Sequence, residues 1–170
     1  VGERKGNVFV KVTGNADDVS KAAVDNTGSI DARRGSVTMA AGDVYSMAMR
    51  AGGSIKARNV RAQAKTGEVH VTGTVDASAG RGGGAGEQGK GGRVEVLGEK
   101  VGLFDASINA SGTSGGGDVR IGGDVQGKGD LQHAQYAYMS KDSTINVDAT
   151  GKGQGGSAVI WSDQITRVYG

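Results

Sequence analysis

The amino-acid sequence predicts an all-β protein with the fold of a right-handed parallel β-helix, a solenoid. One pattern, two short strands separated by a glycine-rich segment, occurs three times in the second half of the chain. Apolar and polar residues alternate within each copy, which is typical of strands with one buried face. The 170 residues include 33 glycines, no proline and 4% aromatic residues. We therefore expect a thin aliphatic core, built by units that stack because none can bury its apolar face alone.

The three copies are aligned by their inward-facing residues. The first strands align on Val75, Ile108 and Val147. The irregular spacing favours units of roughly 20 to 30 residues with insertions at some corners, rather than the uniform blades of a propeller. Small residues that follow the inward branched residue predict a tight interior corner; they are Ala32, Ala57, Ala77, Ala110 and Ala149. The second strands align on Val94, Val119 and Val159.

The chain is predicted to be one segment, residues 1–170, of a longer protein. Residues 53–170 carry the clear repeats, whereas residues 1–52 form less regular units with a possible helical turn or loop excursion at residues 16–26. In this first part we expect a turn at residues 33–35 between two short strands. Neither end has the polar cover that a stack of strands needs, so further units are expected on both sides.

Charge and composition exclude several classes of function. The net charge of +2 comes from 20 basic and 18 acidic residues spread along the chain, which gives no electrostatic basis for binding nucleic acid. Without cysteine there are neither disulfides nor thiolate metal sites. No apolar run approaches the roughly 20 residues that a membrane helix needs.

The repeats themselves resemble those of a known family. Residues 108–112 followed by 117–127, and residues 147–149 followed by 159–163, are similar to repeats of filamentous-haemagglutinin-like exoproteins of Gram-negative bacteria. This resemblance implies a secreted, non-catalytic β-helical stalk on the outer cell surface, exported through an outer-membrane two-partner-secretion transporter. It also implies a role in adhesion, biofilm formation or virulence, with a host-cell or matrix glycan or protein as receptor. The Asn-Pro motifs of the family's secretion domain are absent, so the segment is expected to follow that domain or to lie at its tail.

Two glycine-rich segments match the phosphate-loop pattern Gly-x4-Gly-Lys, at residues 84–90 and 122–128. Glycine follows the lysine in both, so the hydroxyl that would hold magnesium is missing. We interpret them as corners and predict no cofactor. No nine-residue period supports a calcium roll, and His70 and His133 have no partner at ligand spacing, so no metal site is predicted.

Enzymes with related folds gather carboxylates on one exposed sheet for general acid and base catalysis. Here Asp76, Asn109 and Asp148 are predicted to align between copies, with Glu95 and Arg120 nearby. Such a row is more typical of a solvated face that prevents lateral aggregation. We therefore predict that the chain is not an enzyme, with a carbohydrate-binding or carbohydrate-active β-helix protein as the alternative.

One segment breaks the repeat and is the candidate for ligand contact. Residues 131–139 contain His133, Tyr136 and Tyr138, an unusual concentration of rings in this chain. Loops that depart from a repeated scaffold often carry function. These three residues are the candidates for contact with a ligand, and a glycan is the ligand class we expect. The alternative is that the segment is a corner insertion packed on the stacked strands.

Overall fold

The computed structural model describes residues 7–12, 22–42, 47–80 and 89–170. These residues form strands and a single short 3-10 turn at Val125–Gly127. No helix in these ranges is long and apolar enough to cross a membrane. The strands are β1 (Val8–Val12), β2 (Val24–Asn26), β3 (Ser29–Ala41), β4 (Met47–Ala51), β5 (Ser54–Ala64), β6 (Glu68–Val71), β7 (Thr74–Asp76), β8 (Arg93–Leu97), β9 (Lys100–Leu103), β10 (Ser107–Asn109), β11 (Asp118–Ile121), β12 (Tyr136–Met139), β13 (Thr144–Asn146), β14 (Ser157–Ile160) and β15 (Ile165–Val168).

The strands form two parallel sheets. The larger sheet has nine strands and contains β1, β3, β5, β7, β8, β10, β11, β13 and β14. The smaller has six, in the order β15-β12-β9-β6-β4-β2. This two-sheet arrangement is not a regular right-handed β-helix, so the predicted solenoid is wrong.

The observed fold departs from the predicted solenoid in the first part of the chain, where a turn is predicted at residues 33–35. β3 has 13 residues and β5 has 11, so both strands run on through positions expected to be corners. The two strands pair on each side of a register shift between Ala32 and Ser36. The first part of β5 then pairs with β7 and its second part with β8, which joins two sets of strands into one sheet. Residues that tolerate a turn also tolerate an irregular strand, so the sequence does not distinguish these outcomes.

The core is one cluster of buried side chains from both sheets. In the nine-stranded sheet, Val94 and Val119 are register partners, as are Val96 and Ile121. In the six-stranded sheet, Val71 pairs with Leu103. All of these side chains are buried, as the period-two alternation requires.

The register corrects the alignment of the third copy. Val75 and Ile108 are partners, but the next residue in the row is Ile145 rather than Val147. In the second strand, Val119 pairs with Ala158 rather than Val159. The apolar residues flanking both positions made either register compatible with the sequence, and only the backbone pairing selects one.

A turn is repeated after several of the aligned strands. The side-chain oxygens of Asp31, Asp76, Asn109 and Asn146 each accept a hydrogen bond from the backbone N–H two residues further on, at 2.8–3.3 Å. Such Asx turns satisfy the backbone where the chain leaves a strand or, at Asp31, where β3 becomes irregular. The predicted row of Asp76, Asn109 and Asp148 is thus wrong in its third member, since Asn146 is aligned with Asn109.

Substitution of Asn109 tests the stabilising role of this turn. We expect Asn109→Ala to lower the free energy of unfolding by about 1 kcal/mol, because the N–H of Ser111 loses its acceptor. Asn109→Asp should cost less than Asn109→Ala, since it keeps an acceptor oxygen, as Asp76 does in the equivalent turn, and the repulsion from Asp76 on the adjacent strand is screened by salt. Urea denaturation measures the free energy of unfolding of both variants. Equal losses in the two variants would contradict the proposed role of the side-chain oxygen.

Candidate functional site

The outer face of the six-stranded sheet carries an open groove of about 320 Å³. Its walls are two rows of outward side chains that lie two residues apart along the strands, roughly 6.6 Å. The groove crosses β6, β9, β12 and β15. One row is Glu68, Lys100, Tyr136 and Ile165, and the other is His70, Gly102, Tyr138 and Arg167.

A glycine makes room for an aromatic ring in the second row. Gly102 is buried, and a Cβ at this position would overlap the ring of Phe104, lying 2.8 Å from its Cζ atom. The ring of Phe104 therefore occupies the space that the Gly102 side chain would fill. Any larger residue at position 102 would displace the ring.

The rings form a continuous row. Phe104 lies 5.0 Å from His70 in an edge-to-face arrangement and 5.2 Å from Tyr138 in a stacked one. Tyr138 is in turn 5.9 Å from Tyr169. These distances are within the range of favourable ring pairs, which contribute about 0.5–1.5 kcal/mol each beyond area burial. Phe104 in this row and Tyr136 in the opposite wall are each 38% exposed, so the groove presents apolar surface to solvent.

Charged side chains also line the groove beside the aromatic rings. Lys100 Nζ donates a hydrogen bond to Glu68 Oε1 at 3.1 Å, and His70 Nε2 lies 3.2 Å from Glu68 Oε2. The hydrogen bond with Glu68 and the negative charge of that carboxylate raise the pKa of Lys100. Lys100 is therefore held in its charged form beside Tyr136. On the edge strand β15, Arg167 lines the groove as well.

The structure separates the three residues predicted to contact a ligand. Tyr136 and Tyr138 line the groove from β12. His133 precedes that strand and belongs to another cluster, where its Nδ1 lies 3.4 Å from Asp163 Oδ1. Trp161 is part of this second cluster, because its Nε1 also donates to Asp163 Oδ1 at 3.4 Å.

The other sequence candidates have structural partners. In the second glycine-rich segment, Asp124 Oδ1 accepts hydrogen bonds from the N–H of Val125 and from Arg120 Nε, and the bond from Val125 is the main cause that lowers the pKa of Asp124. A 3-10 turn lies within this segment, and the next element is the strand β12 instead of the helix that a phosphate loop requires. The first such segment lies largely outside the described residues, as do residues 16–21 of the predicted excursion. Residues 24–26 of that excursion form β2.

Glu95 belongs to an ion-pair network on the nine-stranded sheet. It is buried, and its two oxygens accept from the guanidinium groups of Arg61 and Arg93. A carboxylate engaged on both oxygens is poorly placed to transfer protons. In the described ranges, no group of three or more His, Asp or Glu residues could hold a metal ion.

Sequence analysis missed most of the groove. His70 and Phe104 come from different repeats and become neighbours only through the parallel register of β6 and β9. The detectable signal was Gly102, a glycine inside a strand pattern, which often marks close approach of another group. Arg167 gave no signal, because its neighbours are set by pairing with β12.

Comparison with known proteins finds no matching family model, no matching curated protein and no matching solved structure. The resemblance to haemagglutinin-like exoproteins therefore stays a prediction from the repeats.

Proposed function

We propose that this chain is a non-catalytic segment of a secreted bacterial surface protein, and that it contributes to adhesion by binding glycan in the groove of the six-stranded sheet. The observation that carries the proposal is the row formed by His70, Phe104 and Tyr138, in which Phe104 is seated over Gly102. Sugar rings pack their apolar C–H faces against aromatic surface, and their hydroxyl groups bond to polar neighbours. Binding sites commonly combine an apolar lining with a few such polar groups.

The shape of the groove supports an oligosaccharide. The groove crosses four strands, so its length is about 14 Å, enough for about two or three sugar rings. Tyr136 provides exposed ring surface at its centre, and Glu68 and Lys100 provide an acceptor and a donor along one wall. A protein receptor would bury a larger area than this groove offers.

The repeats support the remaining parts of the proposal, namely export through an outer-membrane two-partner-secretion transporter and a place on the outer surface of a Gram-negative bacterium. Adhesion or biofilm formation would follow if such a surface bound host or matrix glycan. Labelling of intact producing cells with an antibody against this segment tests the location.

Substitution of single aromatic residues tests whether the groove binds glycan. We expect Phe104→Ala and Tyr136→Ala each to weaken glycan binding about tenfold, because each removes ring surface that a sugar would cover. A glycan array identifies ligands, and calorimetric titration measures their affinities. Phe9→Ala is the matched control, since Phe9 is 72% exposed and lies on the other sheet.

The same titration distinguishes a glycan-binding groove from the alternatives to it. No glycan binding by the wild type, or equal binding by all three variants, would refute a glycan site in this groove. Release of reducing sugar from a bound oligosaccharide would instead favour a carbohydrate-active enzyme.

A further inference from the structure

We infer that the groove is selective for a sugar residue that carries a carboxylate, and that Arg167 binds this carboxylate. The inference rests on the proposed glycan-binding function and adds the chemical class of the ligand. Its starting point is a difference between the charged side chains along the groove. Glu68 already has a cationic partner in Lys100, whereas Arg167 has no carboxylate partner among the described residues.

The charge balance favours an acidic ligand. Among the described residues, Glu68 is the only carboxylate that lines the groove, and the ammonium group of Lys100 neutralises it at 3.1 Å. The guanidinium of Arg167 is then left as net positive charge. A cation without a partner at the rim of a binding groove attracts an anion and disfavours another cation.

The position of Arg167 suits a ligand that has both a ring and a charge. Arg167 is the register partner of Tyr138, one strand spacing away on β15, and Ile165, two residues earlier on that strand, belongs to the opposite wall. A sugar ring packed against Tyr138 would lie one strand spacing from Arg167. The planar guanidinium binds a planar carboxylate through two parallel N–H···O bonds, which a lysine ammonium cannot reproduce.

The test compares ligands that differ only in charge. Purified protein is titrated calorimetrically with tetragalacturonate, with its methyl ester, and with a hexaglutamate peptide that has charge but no sugar ring. We expect the uronate to bind at least about tenfold more tightly than the ester, with no comparable binding of the peptide. Arg167→Ala should abolish this preference, and Arg167→Lys should lose most of it.

Arg50→Lys is the control substitution. Arg50 lies on the same outer face at β4, pairs with Asp25 and does not line the groove, so the preference should persist. Equal binding of uronate and ester, binding of neither, equally tight binding of the peptide, or a preference that survives Arg167→Ala would overturn the inference. If uronate and ester bind equally and Phe104→Ala weakens both, the carboxylate claim fails while the glycan-binding proposal stands.

Discussion

Replacement of Gly117 with alanine is expected to destabilise the fold by at least about 3 kcal/mol, because the added methyl group has no space. A Cβ on Gly117 would overlap the carbonyl oxygen of Gly92 and lie 2.7 Å from the carbonyl carbon of Gly91. These atoms belong to the backbone of the neighbouring repeat, which cannot rotate away as a side chain could. The strands would have to separate, breaking the hydrogen bond from Asp118 N–H to Gly92 O.

Gly28→Ala is the matched control for this prediction. A Cβ on Gly28 would meet nothing within 4 Å, and its φ is not in the left-handed region. We expect its stability to equal or slightly exceed that of the wild type, because alanine restricts the unfolded chain. Urea denaturation followed by circular dichroism gives both values. A loss for Gly117→Ala no larger than that for Gly28→Ala would show that the close approach at position 117 does not exist.

Val119→Asp is expected to cost about 3–5 kcal/mol, since it buries a carboxylate with no partner. Val119 is fully buried between Val94 and Ala158, its partners in the two neighbouring strands. Its side chain lies in the core cluster, whose members are all hydrophobic. The substitution would therefore also disturb the packing of β8 and β14.

Two further variants isolate the effect of the buried charge. Val119→Ala removes the same packing without adding charge, and we expect it to cost about 2 kcal/mol. Ser107→Asp places the charge on an exposed position of the same sheet and should be close to neutral. The denaturant midpoints of the three variants rank their stabilities. A ranking in which Val119→Asp is no worse than Val119→Ala would mean that the side chain at position 119 reaches solvent.

Much of the strand content could be predicted because alternation is a local signal. Val94 and Val119 were assigned to a buried face from their neighbours in the sequence, and both are buried. The turns were harder to predict from the sequence. Residues 33–35 have the composition of a corner, yet β3 continues through them, because pairing with β5 supplies hydrogen bonds on both sides of the irregularity.

The candidate site could be predicted only in part. Tyr136 and Tyr138 share a face two residues apart, which follows from strand geometry alone. Their partners were hidden, because Phe104 reaches Tyr138 by folding over Gly102, and this needs the register of β9 with β12. His133 is close to them in sequence, but its Nδ1 lies 3.4 Å from Asp163 Oδ1 and the residue does not line the groove.

The sequence by itself determined that the chain forms short strands with one apolar face and that glycine and Asx residues occupy the places where those strands end. These properties depend on interactions within a few residues. Only the tertiary structure decided that the strands make two parallel sheets, that Ile145 rather than Val147 continues the buried row, and that an aromatic groove lies on the smaller sheet. The physical reason is that pairing between strands 20 to 40 residues apart depends on long-range backbone hydrogen bonds, which several registers of the same alternating sequence can satisfy.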